Sequence, residues 1–384
     1  AVVCFHVAYT PAKSGLLAFG IIGYLICLVQ LARLRTTRQC FYTGLAVGLA
    51  CFAPQLECFW RIFGAAAIAL WLVLAFWIGL FLALSHQALA RLGSSRGAWL
   101  IPFLWTGLEY FRSELYYLKF SWLNVGYAFA QNRLVPFHLL GMYGLGFALM
   151  ISVGLLLLPR RNGRRNQMLL PVILTVVGLA IAYVCFFVPI LKMKQSFPNF
   201  VVAGVQLEFP QEKEILRSLD AVLRKHPQLV QSNLFFQRHT NLDVVVLPEY
   251  TIDGEPTAAL KDWCRQNQKF LIVGGKDHSP GTNYYNTAFV ISTNGEVVFK
   301  QVKSVPIQFF KDGQPATEQK VWDSPWGKIG ICICYDLSYT RVTDELVRQG
   351  AEILIVPTMD VMDWGRHQHE LHARVAPVRA AEYS

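Results

Sequence analysis

Three short segments of this chain end an apolar run in a residue able to do chemistry. Asp243-Val-Val-Val-Leu-Pro-Glu249 ends in a carboxylate after a proline, Gly295-Glu-Val-Val-Phe-Lys-Gln-Val-Lys303 carries two lysines three apart, and Gly330-Ile-Cys-Ile-Cys-Tyr-Asp336 puts a cysteine at a strand end. Taken singly, each has an ordinary structural reading: an acid at a strand end, a solvated edge and a buried thiol. Taken as a set, they offer a carboxylate, an ammonium and a thiol. A thiol of pKa about 8.5 is mostly protonated at neutral pH, so it attacks only where a carboxylate accepts its proton or a cation favours the thiolate. Attack on an ester carbonyl then builds charge on oxygen, and losing one donor aimed at that charge costs about 10²- to 10³-fold in rate.

In this order and spacing the three segments resemble the nitrilase superfamily, whose Glu, Lys and Cys lie in L-P-E, G-x-x-x-x-K-x-x-K and C-x-D/E stretches. The resemblance implies Glu249 as general base, Lys303 as cationic stabiliser and Cys334 as nucleophile, with Tyr335 and Asp336 in supporting places beside the thiol. Lys300 matches the family's preceding basic position. Cys332, one strand repeat earlier, reads as core.

The elements that must position these residues begin near residue 200. Apolar runs at 200–206, 242–247, 270–274, 288–292, 328–332 and 353–357 alternate with amphipathic stretches, including a helical pattern over 212–237. Strands apolar throughout and separated by helices indicate an α/β layered domain with a covered sheet. The nitrilase resemblance makes this an αββα sandwich, predicted over 196–384.

Residues 1–195 read differently. The whole chain is 54% hydrophobic and only 16% charged, too apolar for an ordinary soluble protein, and the apolar excess lies before about residue 191. A bilayer crossing takes about 20 mostly apolar residues. Runs at 14–32, 41–58, 65–88, 98–110, 135–158 and 168–191 predict about six transmembrane helices, with a possible seventh before Thr10. The net charge of +10 does not point to nucleic acid, because the basic residues sit between apolar runs rather than on one face with interleaved aromatics. Arg33, Arg35 and Arg38, then Arg91 and Arg96, then Arg160, Arg161, Arg164 and Arg165 mark alternate loops as cytoplasmic. Everything from about Lys192 is thereby placed on the far side. The nine cysteines show no metal-ligand pairing and read mostly as small buried hydrophobes.

A Glu and an Arg close together at a helix end, Glu109 and Arg112, are costly in a membrane and usually mark a pair or a site. The stretch from Trp105 to Phe147 resembles apolipoprotein N-acyltransferases, in which an E-W-x-R-like helix end leads to F-P-W-x-x-x-G-Y and G-x-Y-G-L-x-F. Glu109, Arg112, Trp122, Gly126, Tyr127, Gly141, Tyr143, Gly144 and Phe147 stand at matching places, with Ser121 where the family has Pro. Tyr284-Tyr-Asn-Thr-Ala288 and the late stretch with His369, Arg379, Ala380 and Glu382 also follow that pattern.

The acyltransferase resemblance implies a multi-pass enzyme of the bacterial inner membrane with its catalytic domain on the periplasmic side. Cys334 would take an acyl chain from a phospholipid donor as a thioester. The α-amino group of a lipoprotein's diacylglyceryl-cysteine would then receive it, with no metal or organic cofactor. Two departures bear on the acceptor: C-Y-E is here Cys334-Tyr335-Asp336, and K-x-H-L-V-P-F-G-E is here Lys303-Ser-Val-Pro-Ile-Gln-Phe-Phe-Lys-Asp312, with Asp312 the candidate substitute for the missing Glu. The first residue is Ala rather than Met, and the chain stops before the family's last strands and final helix, so truncation at both ends is expected. A membrane-anchored amidase or nitrilase-type hydrolase, in which water resolves the thioester, is the main rival. A non-catalytic membrane scaffold is the second.

Overall fold

The computed structural model describes residues 1–10, 15–132, 135–156, 200–229, 242–279, 281 and 283–384. They fall into two compact units, Ala1–Lys194 with Asp363–Ser384, and Gln195–Met362. The last segment, read from sequence with the second half, thus groups with the first unit.

The first unit is helical: α1 (Val2–Tyr9), α2 (Gly20–Leu31), α3 (Thr37–Gln55), α4 (Cys58–Phe63), α5 (Ala67–Tyr110) and α6 (Phe137–Leu156). The Thr36 side chain caps α3 by accepting from the Gln39 N–H at 3.1 Å. α3 then lies against α5 at backbone contact, because a Cβ on Gly44 would come within 2.8 Å of Gly79 Cα and one on Gly48 within 2.7 Å of Ala75 Cα. Only small residues permit that approach.

The predicted runs 65–88 and 98–110 both fall on α5, which is broken at Gly93, where φ is +78° and ψ 161°. Past the break the chain doubles back: Trp105 packs edge-on to Phe81 at 5.0 Å and Phe111 lies 5.7 Å from Trp77. One straight helix would hold the first pair roughly 36 Å apart. Among the described residues, Cys58–Leu115 and Phe137–Leu156 are long and apolar enough to cross a bilayer, while Leu16–Leu31 is apolar but shorter. The run at 168–191 lies outside the described residues.

The second unit carries two sheets. β1 (Val202–Gly204), β2 (Val244–Val246), β3 (Phe270–Asp277), β4 (Tyr285–Ile291) and β5 (Val297–Val302) form one in sequence order, parallel across β1, β2 and β3 and antiparallel from β3 to β5. β6 (Val321–Ser324), β7 (Gly327–Ile331) and β8 (Ile353–Ile355) form the other, with β6–β7 antiparallel and β7–β8 parallel. Helices α7 (Glu212–Leu229) and α8 (Ala258–Asn267) send Ile215, Leu219, Leu260 and Trp263 into a core with Val245, Val273 and Phe289. Each such buried side chain stabilises the layer by about 1.5–3 kcal/mol. The covered sheet read from the continuous apolar runs is present, and α9 (Thr340–Arg348) follows β7. Helices α10 (Arg366–Ala373) and α11 (Val375–Glu382) close the chain in the first unit.

Candidate active site

Each chemical residue is delivered by the end of a strand. The pairing of β2 with β3 continues past Val246: the Leu247 N–H donates to Ile272 O at 2.8 Å and the Gly274 N–H to Pro248 O at 3.1 Å. Glu249 follows at once and is buried. Gly274 makes this possible, since a Cβ there would stand 2.5 Å from Glu249 Cα and 2.5 Å from Pro248 O.

β5 separates its two lysines by alternation, because residues an odd number apart point to opposite faces. Lys300 turns outward to Glu255 at 2.6 Å and Asp277 at 3.1 Å. Lys303 is fully buried, its N–H bonded to Asn286 O at 2.8 Å. The solvated-edge reading therefore holds for Lys300 and fails for Lys303.

β7 leads into a single 3₁₀ turn, Cys334–Ser338, and Cys334 itself sits at φ +50°. That region costs a non-glycine residue about 1–3 kcal/mol unless its surroundings hold it. Here the Cys334 N–H donates to Pro357 O at 3.0 Å, and the Asp336 carboxylate accepts from the Ile333 N–H at 3.1 Å. Cys332, one repeat earlier, is fully buried in the β7 layer.

Around Lys303 Nζ stand two carboxylates, Glu249 Oε1 and Asp312 Oδ2, each at 2.8 Å. Asn286 Nδ2 joins the same two acids, donating to Glu249 Oε1 at 2.6 Å and to Asp312 Oδ1 at 2.9 Å. Asp312 also accepts from the Tyr250 hydroxyl at 2.5 Å and the Ile307 N–H at 2.7 Å, so both of its oxygens are doubly satisfied. The Glu249 carboxylate also acts on the Cys334 thiol, pushing its pKa up. Carboxylate, ammonium and thiol are thus in one buried cluster.

Burial opposes the Lys303 charge, yet Glu249, and after it Cys334, Asp312 and Asp336, outweigh that penalty and hold the ammonium well above its ordinary range. Burial pushes the Cys334 thiol well up, the Glu249 carboxylate pushes it further, and Lys303 draws it back down. Burial and Glu249 thus favour the protonated thiol, and Lys303 stands beside it for the charge that proton transfer creates.

The three sequence-predicted catalytic residues are brought together, and Asp312 joins them on the far side of Lys303. Asp336 does not touch the thiol. It accepts from the Ser304 N–H at 3.0 Å and the Val305 N–H at 2.7 Å, tying the turn after Lys303 to the turn that carries Cys334, and burial raises its pKa to about 6. Tyr335 is buried and packs edge-on to Tyr339 at 5.1 Å. Sequence reasoning passed over Tyr250 and noted Asn286 only inside a motif. An Asn on a buried strand is the signal that could have found it, since a buried amide needs polar partners.

Residues 1–155 match the apolipoprotein N-acyltransferase N-terminal domain and residues 202–384 match the carbon-nitrogen hydrolase family. Together the two matches fit an apolipoprotein N-acyltransferase in the nitrilase superfamily. The catalytic half of this chain is that of a carbon-nitrogen hydrolase superfamily enzyme, and the N-terminal domain is that of a membrane protein. Among curated relatives, Nitrilase homolog 2 of Dictyostelium discoideum is 29% identical over 193 residues, 46% of this chain and 58% of that one. Formamidase of Bacillus thuringiensis (strain Al Hakam) is 24% identical over 196 residues, 43% of this chain and 54% of that one. The chain therefore spans little more than half the length of these relatives. A solved carbon-nitrogen hydrolase from Helicobacter pylori G27 aligns with 46% of this chain and 68% of its own, at 16% identity and a TM-score of 0.37.

The acyltransferase-type N-terminal domain has its own polar cluster. Glu109 Oε1 accepts from the Val125 N–H at 2.9 Å, Arg112 donates to Asn124 Oδ1, and the Tyr9 hydroxyl donates to Asn124 O at 2.7 Å. These bonds pin the aromatic stretch 120–129, whose Trp122 stacks on His372 at 4.7 Å. Arg379 donates to the Tyr127 hydroxyl at 2.9 Å and pairs with Glu382, whose carboxylate accepts from the Met142 N–H at 2.6 Å just past the Gly141 break in α6. Glu109, Arg112, Tyr127, Arg379 and Glu382, all named from sequence, thus hold loops of this domain together.

Proposed function

We propose that this protein transfers an acyl chain from a membrane phospholipid to the α-amino group of a diacylglyceryl-cysteine at a lipoprotein N-terminus, through a thioester on Cys334. The observation that carries the reading is one chain uniting an apolipoprotein N-acyltransferase N-terminal domain with the buried Glu249–Lys303–Cys334 cluster.

In the first half-reaction the Cys334 proton passes to Glu249 while Sγ bonds to the ester carbonyl carbon. Lys303 Nζ faces the charge that develops on the carbonyl oxygen. The C–O bond breaks, and Glu249 returns its proton to the departing lysophospholipid oxygen. In the second half-reaction the acceptor amine attacks the thioester, Glu249 takes the amine proton, the C–S bond breaks and the thiolate is reprotonated. Asp312 serves as the fixed counter-charge of Lys303, which leaves Glu249 free to move protons. The apolar N-terminal helices belong to a multi-pass bundle in the bacterial inner membrane. The alternation of Arg-rich loops puts the catalytic domain on the periplasmic side.

Intact mass analysis after incubation with phospholipid tests the reading, with an acyl adduct expected on the native chain and on Cys332→Ala but not on Cys334→Ala. Adding an amine-bearing diacylglyceryl peptide should discharge the adduct to an acylated peptide. The formamidase and nitrilase-homolog names of curated relatives favour a second reading, hydrolysis. Free acid formed at the same rate with and without the peptide would establish that alternative.

A further inference from the structure

Asp312 is held by more donors than a simple counter-ion needs, and the shortest of these bonds comes from a residue the mechanism leaves unused. Tyr250 directly follows Glu249 and lies at φ +55°, a conformation that bulky side chains rarely adopt. That backbone turn accompanies the 2.5 Å bond from its hydroxyl to Asp312 Oδ1. The ring is fixed from its other side: the Tyr284 hydroxyl lies 3.4 Å from the Tyr250 hydroxyl and donates to Lys311 O, the residue before Asp312. Lys276 Nζ sits over both rings, 5.9 Å from Tyr250 and 5.4 Å from Tyr284, and is itself anchored to Asp253 at 2.7 Å. Gly313, at φ +81°, closes the turn against β4, where a Cβ would stand 2.9 Å from Asn286 N.

We propose that the Tyr250 hydroxyl is a positioning group for the reaction, clamping Asp312 to Lys303 so that the ammonium keeps its place in the cluster and its pull on the Cys334 thiol. The inference rests on the assignment of Glu249, Lys303 and Cys334 above. Tyr250 touches none of the reacting atoms. Its bond to Asp312 Oδ1 leaves Oδ2 to Lys303 Nζ and the Ile307 N–H, which ties the 304–313 loop to the cation. Without the hydroxyl, Asn286 is the remaining donor to Oδ1, and it is shared with Glu249. Lys303 can then follow a loosened Asp312, and the thiolate loses part of its stabilising charge.

The experiment is alkylation of Cys334 by iodoacetamide against pH, on the full chain in detergent, with the modified residue identified by mass. This readout needs neither phospholipid nor lipoprotein. Tyr250→Phe keeps the ring and removes only the hydroxyl. It should slow alkylation near neutral pH by about tenfold, the worth of one hydrogen bond to a charged group, and move the profile to higher pH. Asp312→Asn removes an anion beside Lys303 as well as the clamp, so adding Tyr250→Phe to it should produce no further shift. A purely structural role would lower the melting temperature and leave the alkylation profile in place. A native profile in Tyr250→Phe, or a further shift on adding it to Asp312→Asn, would overturn the clamp. Alkylation of the native chain at a residue other than Cys334 would instead overturn the nucleophile assignment beneath it.

Discussion

At the scale of single residues, two carboxylates and a thiol surround one buried ammonium, and removing a charge has a predictable sign. Lys303→Met should move Cys334 alkylation to higher pH, because the cation is what draws the thiol pKa down against burial and Glu249. Glu249→Gln should move it the other way while still stopping acyl transfer, since the carboxylate opposes a second negative charge nearby. Rate-against-pH curves for the two variants and the native chain check this, and shifts of the same sign would sink it. Lys303→Met also leaves Glu249 and Asp312 buried without their cation, which typically costs about 3–5 kcal/mol, so a melting curve belongs beside each profile. Asp336 sets a second pH dependence. Burial brings its pKa to about 6, and as the pH falls through that value the carboxylate that accepts from Ser304, Val305 and Ile333 is protonated and accepts more weakly. Thioester formation should therefore fall on the acid side near pH 6, and an Asp336→Asn variant should be slow without that limb. An acid limb unchanged in the variant would assign it to another group.

At the scale of elements, what matters is how closely two backbones approach. Gly274 lets β3 pass beneath the Pro248–Glu249 peptide at a distance that no side chain permits. Gly274→Ala should push the base off its station and cost about 1–3 kcal/mol, typical of overpacking at a close contact. Loss of acyl adduct together with a lowered melting temperature is the expected result; full adduct yield would mean that the strand end tolerates displacement. The same logic applies to α3 against α5, where Gly44, Gly48 and Gly79 make room for backbone contact. The short elements also explain why the catalytic strands were legible: Val244–Val246 and the end of Gly327–Ile331 are β-branched or apolar, with Glu249 and Cys334 just past their ends. The predicted spans were less exact. Runs 65–88 and 98–110 share one helical stretch whose reversal at Gly93 depends on a single positive φ that hydropathy does not register.

At the scale of the whole molecule, the open quantity is orientation. The proposed topology has the loops after the first, third and fifth predicted spans, which carry the basic residues, in the cytoplasm and residues beyond Lys192 outside it. A glycosylatable or protease-accessible tag inserted near Gly281 should therefore report the extracytoplasmic side, and one near Arg161 the cytoplasm. A cytoplasmic signal from the Gly281 insertion would reverse the topology and remove the lipoprotein as acceptor. Both substrates of the proposed reaction are lipid-anchored, which is the physical reason for joining a nitrilase-type domain to an apolar helical one.

By itself the sequence determined the kinds of chemistry and their order along the chain: a carboxylate, an ammonium and a thiol at successive strand ends, behind an apolar half with regularly placed arginines. It could do so because apolar periodicity and the residue at a strand end are local properties. It also offered Asp312 as a stand-in for a missing Glu, without the means to test its reach. Tertiary structure alone decided that Lys303 rather than Lys300 is buried, that Asp312 reaches its Nζ at 2.8 Å, and that Asp336 braces backbone instead of touching the thiol. It alone revealed Tyr250 and Asn286, residues whose significance lies in partners 62 and 26 positions away in Asp312. Hydrogen bonds between distant segments depend on where β2, β4 and the 304–313 loop meet, and no local pattern encodes that meeting.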